Sequence, residues 1–289
     1  MAHRVTLSAG TLEYEDTGSG EPTLVFLHGL LMDPSLWEEV VDDLKGDHRC
    51  IVPSLPLGAH RQAIGDGLSF PAVASFVSEF LEQLELSEVT LIGNDTGGAI
   101  VQLVAAEHPE RLAGIGLVSC DAFDNFPPGL TGKAVTQAGR LPPALFGAFM
   151  QQLRFKPLRR SPIAFGWLTK RGDPATRRWL EPVFGDAQIR GDAVRILRSM
   201  LADRKLLIRA ADSLASFDRP ALIVWASEDR VMPPEHGRRL AELLPASEFV
   251  EVQDSYTLIP LDQPRVLADH IRRFTAGLNG HPPSSTAPA

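Results

Sequence analysis

Val89-Thr90-Leu91-Ile92-Gly93-Asn94-Asp95-Thr96-Gly97-Gly98-Ala99 decides how the rest of the chain is read. An apolar, β-branched run ends in G-x-D-x-G, and a segment with helical spacing, residues 97–108, follows. Glycines at 93 and 97 leave room for a sharp strand-to-helix turn, with Asp95 at its corner and the first N–H groups of the helix beside it. A carboxylate held there can attack an alkyl carbon and form an ester with the protein. Aspartate also caps helices, but the flanking glycines and the buried strand before them favour an active-site role for Asp95.

Outward from this turn, strand-like and helix-like segments alternate. Residues 23–27, 50–53, 89–92 and 112–119 read as short buried strands. Between them, residues 34–44 and 70–84 have helical spacing, the latter with Phe70, Val73, Phe76, Val77, Phe80 and Leu81 on one face. Such alternation predicts an α/β fold, a mostly parallel sheet covered by helices. From 124 to 214 no strand run appears. Proline and glycine punctuate amphipathic stretches at 143–153, 174–183 and 192–202, and the strand pattern resumes at 221–225 and 248–252. The expected organisation is a first core part (1–123), a helical cap inserted after the sixth strand (124–215), a second core part (216–278) and a disordered, low-complexity tail (279–289). A block inserted between strands of one sheet lies over the strand ends, where open α/β sheets bind ligands.

In this layout the chain resembles the α/β-hydrolase superfamily. The resemblance covers nearly the whole core: His28-Gly29 after the third strand, the turn at Asp95, Ser227-Glu228-Asp229 after Trp225, and residues 254–264. With serine at the turn the pattern is that of esterases and lipases. With aspartate it looks most like haloalkane dehalogenases, epoxide hydrolases and fluoroacetate dehalogenases. The resemblance implies Asp95 as nucleophile, Asp229 as the acid that orients a histidine, and the backbone N–H groups of Leu30 and Thr96 as oxyanion donors. Asp121, at the strand-to-cap junction, is a secondary acid candidate.

The histidine those families place seven residues before a proline is not there. Thr257 stands at its position and Tyr256 at the preceding glycine's, and no histidine lies between His236 and His270. Threonine is no general base near neutral pH. His60, in the loop after a strand, is the first candidate for a relocated base, although a scaffold role weighs more heavily, as it does for His28. The halide-binding tryptophan and asparagine of dehalogenases are replaced by Thr96 and Leu30, and neither tyrosine lies in the cap. His28, Tyr256, Phe149 and Trp167 are candidates for substrate contact, within a largely apolar pocket.

Composition narrows the class further. The chain has 289 residues, 44% hydrophobic, and a net charge of -8, which leaves no basic footprint for nucleic acid or anionic membrane. No apolar run is long enough to span a bilayer. The N-terminal residues lack a secretory apolar stretch and the two cysteines read as reduced core thiols, so a cytoplasmic location is expected. No dinucleotide or phosphate-loop motif and no metal-ligand spacing appears, so no cofactor or metal is expected. The expected partner is a small, apolar molecule; the sequence does not set the oligomeric state. The default expectation is hydrolysis through an alkyl-enzyme ester on Asp95. The alternatives are acid/base chemistry at the same carboxyl (elimination, cyclisation or isomerisation) and a non-catalytic small-ligand binder.

Overall fold

The computed structural model describes residues 2–278, so the expected disordered tail lies outside the described residues. Eight strands form one sheet: β1 (Ala2–Leu7), β2 (Gly10–Asp16), β3 (Thr23–Leu27), β4 (Arg49–Pro53), β5 (Val89–Asp95), β6 (Leu112–Cys120), β7 (Ala221–Ala226) and β8 (Ser247–Val252). Their spatial order is β1-β2-β4-β3-β5-β6-β7-β8. From β4 to β8 every pairing is parallel, and β1 and β2 are added antiparallel at one edge. The central strands β3, β5 and β7 are buried at every residue, as strands covered on both faces must be. The edge strand β8 and, next to the opposite edge, β2 are half-exposed and carry charges, which at β8 blunts the sheet edge.

The strand order reverses between β3 and β5, because β4 lies on one side of β3 and β5 on the other. Loops leaving those two strands therefore diverge and open a crevice at their C-terminal ends. Register makes neighbouring strand ends coincide there: Leu27 lies opposite Gly93, and Asp95 opposite Cys120. The helix Thr96–Glu107 follows β5 and is buried along its first ten residues. It can approach the sheet only because position 97 is glycine; a Cβ there would sit 2.3 Å from the Leu27 carbonyl oxygen. The helix Phe70–Gln83 starts at Ser69, whose hydroxyl accepts from the Ala72 N–H. Phe70, Val73, Val77, Phe80 and Leu81 are buried on the expected face, and Phe76 only partly so.

Between β6 and β7 the described chain contains no strand and seven α-helices, from Gly129–Ala138 to Leu206–Leu214. The run expected at 174–183 is two short helices, Asp173–Trp179 and Glu181–Gly185. Pro182 lacks the N–H that a continuous helix would use and instead opens the second one. The long helix Ala187–Ala202 anchors the block, capped by the Asp186 carboxylate.

Candidate active site

Asp95 sits at the corner between β5 and its helix with φ 54 and ψ -129, a left-handed conformation that costs a non-glycine residue about 1–3 kcal/mol. It is only 4% exposed. Gly29, in the loop after β3, packs against it so closely that a Cβ would lie 2.6 Å from Asp95 Oδ2. Burial pushes its carboxyl up to about 7, helped by the charge of Asp229, while the Thr96 N–H and hydroxyl work against the rise. The Thr96 hydroxyl is 3.5 Å from Asp95 Oδ1.

Asp229, beyond β7, and Thr257, beyond β8, are brought together by the fold. The Thr257 hydroxyl donates to Asp229 Oδ1 at 2.8 Å. The same oxygen accepts the N–H groups of Val231 (2.9 Å) and Met232 (2.8 Å), while Oδ2 is shut off from solvent without a partner. Burial raises this carboxyl to about 6, against the pull of those backbone donors and of the Thr257 and Ser119 hydroxyls. Asp121 is the third carboxyl. It is fully buried, neither oxygen has a partner within hydrogen-bond distance, and burial followed by the charge of Asp95 holds it well above the usual carboxylate range, against the smaller pull of the nearby Thr96 hydroxyl. Among the described residues no Lys, Arg or His forms an ion pair with any of the three.

The histidine candidates are occupied elsewhere. His28 donates from Nδ1 to the Gly29 carbonyl (3.0 Å) and accepts the Leu55 N–H at Nε2 (2.9 Å); burial depresses it to about 4, so it is neutral. It braces two loops and does not touch the cavity. His60 accepts the Gly58 N–H at Nδ1 (3.2 Å) and donates from Nε2 to Asp192 (3.1 Å), which ties the loop after β4 to the helix Ala187–Ala202. With both nitrogens engaged, His60 is not brought to Asp95 as a relocated base.

A narrow cavity of about 20 Å³ opens over Asp95, with room for about one water molecule. Leu30, Thr96 and Val231 bound it from the sheet side. Thr131, Gly132, Val135 and Thr136 of the helix Gly129–Ala138 cover it with Phe165, Leu168 and Met200. Phe149, Trp167 and Tyr256 are absent from this lining. Phe149 packs against the hydrophobic core, and the Arg230 guanidinium lies over the rings of Trp167 (4.4 Å) and Tyr256 (3.8 Å). That stack fastens the segment bearing Phe165 and Leu168 to the loop bearing Thr257. Asp262 adds to the fastening by accepting from the Thr169 hydroxyl and the Tyr256 N–H.

Asn94 was not singled out in the sequence. Its side-chain amide donates to the carbonyls of Val118 and Thr257, both at 2.8 Å, and so fixes the Thr257 loop to the turn at Asp95. No local pattern signals this, since the partners come from other strands. The cavity-facing threonines of residues 131–136 likewise carry no signature beyond helical spacing.

The model of the family described as alpha/beta hydrolase fold matches residues 22–264. The chain belongs to that family. Haloalkane dehalogenase 2 of Mycobacterium tuberculosis (strain ATCC 25618 / H37Rv) is 27% identical over 272 residues, 92% of each chain. An uncharacterized hydrolase, YugF, of Bacillus subtilis (strain 168) is 24% identical over 94% of this chain and 96% of its own. Among solved structures, the haloalkane dehalogenase DbeA from Bradyrhizobium elkani USDA94 superposes with a TM-score of 0.80 at 18% identity, covering 97% of this chain and 99% of its own. Fold and relatives together make this α/β-hydrolase family member an enzyme of the hydrolase type, related to haloalkane dehalogenases. No helix of the described residues is long and apolar enough to cross a membrane.

Proposed function

We propose that this α/β-hydrolase acts on a small, largely apolar molecule through Asp95, by hydrolysis in which the Asp95 carboxylate first displaces a leaving group from carbon and forms an alkyl-enzyme ester. The observation that carries this reading is a strained, buried carboxylate at a strand-to-helix corner, in a cavity otherwise lined by apolar side chains and threonines. The helical block between β6 and β7 acts as a cap, and the cavity's small volume requires it to part before a substrate can enter. In the second step water adds to the ester carbonyl. Asp229, raised to about 6 and with a free Oδ2, takes the proton that an imidazole takes elsewhere in the superfamily. The N–H groups of Thr96 and Leu30 face the developing oxyanion. The tetrahedral adduct then expels the alkoxide, which is protonated to the alcohol.

One observation favours a second reading. Asp95 sits at about 7 with no imidazole in contact, a range suited to giving or taking a proton at neutral pH. Elimination, cyclisation or isomerisation would then proceed without water attack. A single turnover in ¹⁸O-labelled water, followed by peptide mapping, separates the two. Label in the Asp95 carboxylate supports the ester route, and turnover with unlabelled Asp95 assigns proton transfer. Turnover unchanged in Asp95→Asn would remove both.

A further inference from the structure

We infer that the outer face of the helical block between β6 and β7 docks on the surface of an anionic lipid bilayer. Among the described residues every exposed large apolar side chain except Ile208 and Val266 lies between positions 130 and 163. Leu130, Leu145, Phe155 and Ile163 are each more than half exposed. Single apolar side chains scattered over a surface are ordinary, but their concentration in one block marks an interaction site. The helix Pro143–Gln151 buries Phe146, Gly147 and Met150 and turns Ala144, Leu145 and Ala148 outward. The chain runs on through the turn Gln152–Arg154 into Lys156–Arg159. There the Arg159 N–H donates to the Phe155 carbonyl (3.0 Å) and the Ser161 N–H to the Leu158 carbonyl (3.1 Å), so Phe155 and Leu158 ride on one compact coil. The Thr131 hydroxyl donates to the Pro162 carbonyl at 2.9 Å and so joins the segments bearing Leu130 and Ile163.

Charge singles out the partner. From 125 to 172 the sequence contains lysines and arginines but no aspartate or glutamate, so the chain's net charge of -8 arises entirely outside this block. Acids from elsewhere take up some of these cations: Asp173 meets Arg159, Glu181 meets Arg154, and Asp254 meets Lys170 and Arg171. Among the described residues Lys133 and Arg140 form no ion pair and Lys156 only one at 4.0 Å, and all three are exposed. Exposed leucine and phenylalanine edged by lysine and arginine suit a bilayer interface, with the apolar groups in the acyl boundary and the cations among anionic headgroups. A second copy joined through the same face by a twofold axis would instead bring two cationic surfaces together. The face is also the outer side of the layer that roofs the site. The helix Gly129–Ala138 holds Thr131, Val135 and Thr136 over the Asp95 cavity and Leu130 and Lys133 in solvent. Docking presents that roof to a phase in which small apolar molecules concentrate.

The test is co-sedimentation of the full chain with two kinds of vesicle, phosphatidylcholine alone and phosphatidylcholine mixed equally with phosphatidylglycerol. The wild-type comparison needs no variant to fold. The expected result is binding at least about tenfold tighter to the mixed vesicles, weakening as salt is raised. The double variants Leu145→Ser/Phe155→Ser and Lys133→Glu/Arg140→Glu, all at exposed positions, should each weaken that binding by about tenfold or more. Thermal melts check that both fold. No binding to either vesicle, or equal binding to both, overturns the proposal, and so does wild-type affinity retained in both variants. Absence of vesicle binding together with a dimer that dissociates in Leu145→Ser/Phe155→Ser assigns the face to a second copy instead. Binding is read without turnover, so its failure leaves the Asp95 reading untouched.

Discussion

Asp121 and Asp229 leave the ends of adjacent strands, β6 and β7, and in the sequence they look alike, each an aspartate just beyond an apolar strand. Their surroundings are opposite. Asp229 receives two backbone N–H groups and the Thr257 hydroxyl on a single oxygen, whereas Asp121 has no partner within hydrogen-bond distance. Donors stabilise the charged form, and bare burial stabilises the protonated one. The strand-end position therefore sets where a carboxyl sits, and the loop that follows sets what it can do. The donors on Oδ1 pull Asp229 back toward its charged form, while burial and the charge of Asp95 push Asp121 toward its protonated one.

The largest test of this contrast is Asp95, the carboxyl in electrostatic reach of both. Asp95→Asn is expected to lower turnover by at least about a thousandfold, since it removes the carboxylate proposed as nucleophile. It should also stabilise the fold at high pH. A carboxyl raised from 3.8 to about 7 binds its proton more tightly in the folded state, so its contribution is intact below the unfolded value and is lost as pH rises through 7. Thermal melts at pH 8 should show the variant more stable than the parent, on the order of a few kcal/mol, with the gap closing near pH 4. An equal shift at both pH values would contradict the buried-carboxyl account.

Next in size is Asp229→Asn. If Asp229 takes the proton from water, the second step slows by about 10²–10⁴, and the ester accumulates at Asp95 in mass spectra taken during turnover. Loss of ester formation instead would make Asp229 part of the first step. Thr257→Val removes one of the donors to Asp229 Oδ1. The expected cost is about tenfold at pH 6, because Asp229 shifts further upward, with recovery by pH 8 as it ionises again. A loss independent of pH would mean that the hydroxyl serves only to pack the loop.

The smallest expected effect is at Arg230→Gln, beside Asp229 in sequence but turned outward onto Trp167 and Tyr256. Each exposed cation–π contact is worth about 0.5–1 kcal/mol. The variant should lose about that much stability and change the chemical step less than about threefold. A large fall in activity would move the fastening between the helical block and the Thr257 loop from a structural to a gating role.

Some of this was legible in the chain alone. The apolar runs and helical spacings placed the parallel strands, the helical block between β6 and β7 and the corner at Asp95, because each depends on contacts within one turn or one strand. The pairing of Asp229 with the residue at the histidine position was implied by the superfamily resemblance. The antiparallel edge pair β1 and β2 carried a weaker signal, since its half-exposed residues do not form a clean apolar run.

What only the tertiary structure decided depends on groups far apart in sequence. Asn94 reaches the Thr257 carbonyl across 163 residues, and His60 meets Asp192 across 132, which engages an imidazole that the sequence offered as a relocated base only behind a scaffold role. The cavity walls moved from the expected Phe149, Trp167 and Tyr256 to Thr131, Val135, Phe165 and Met200. Periodicity tells which face of a helix is apolar, but not which neighbour that face meets. Charge has the same limit: the sequence counts carboxylates, and only packing decides whether each one finds a donor, a cation or nothing.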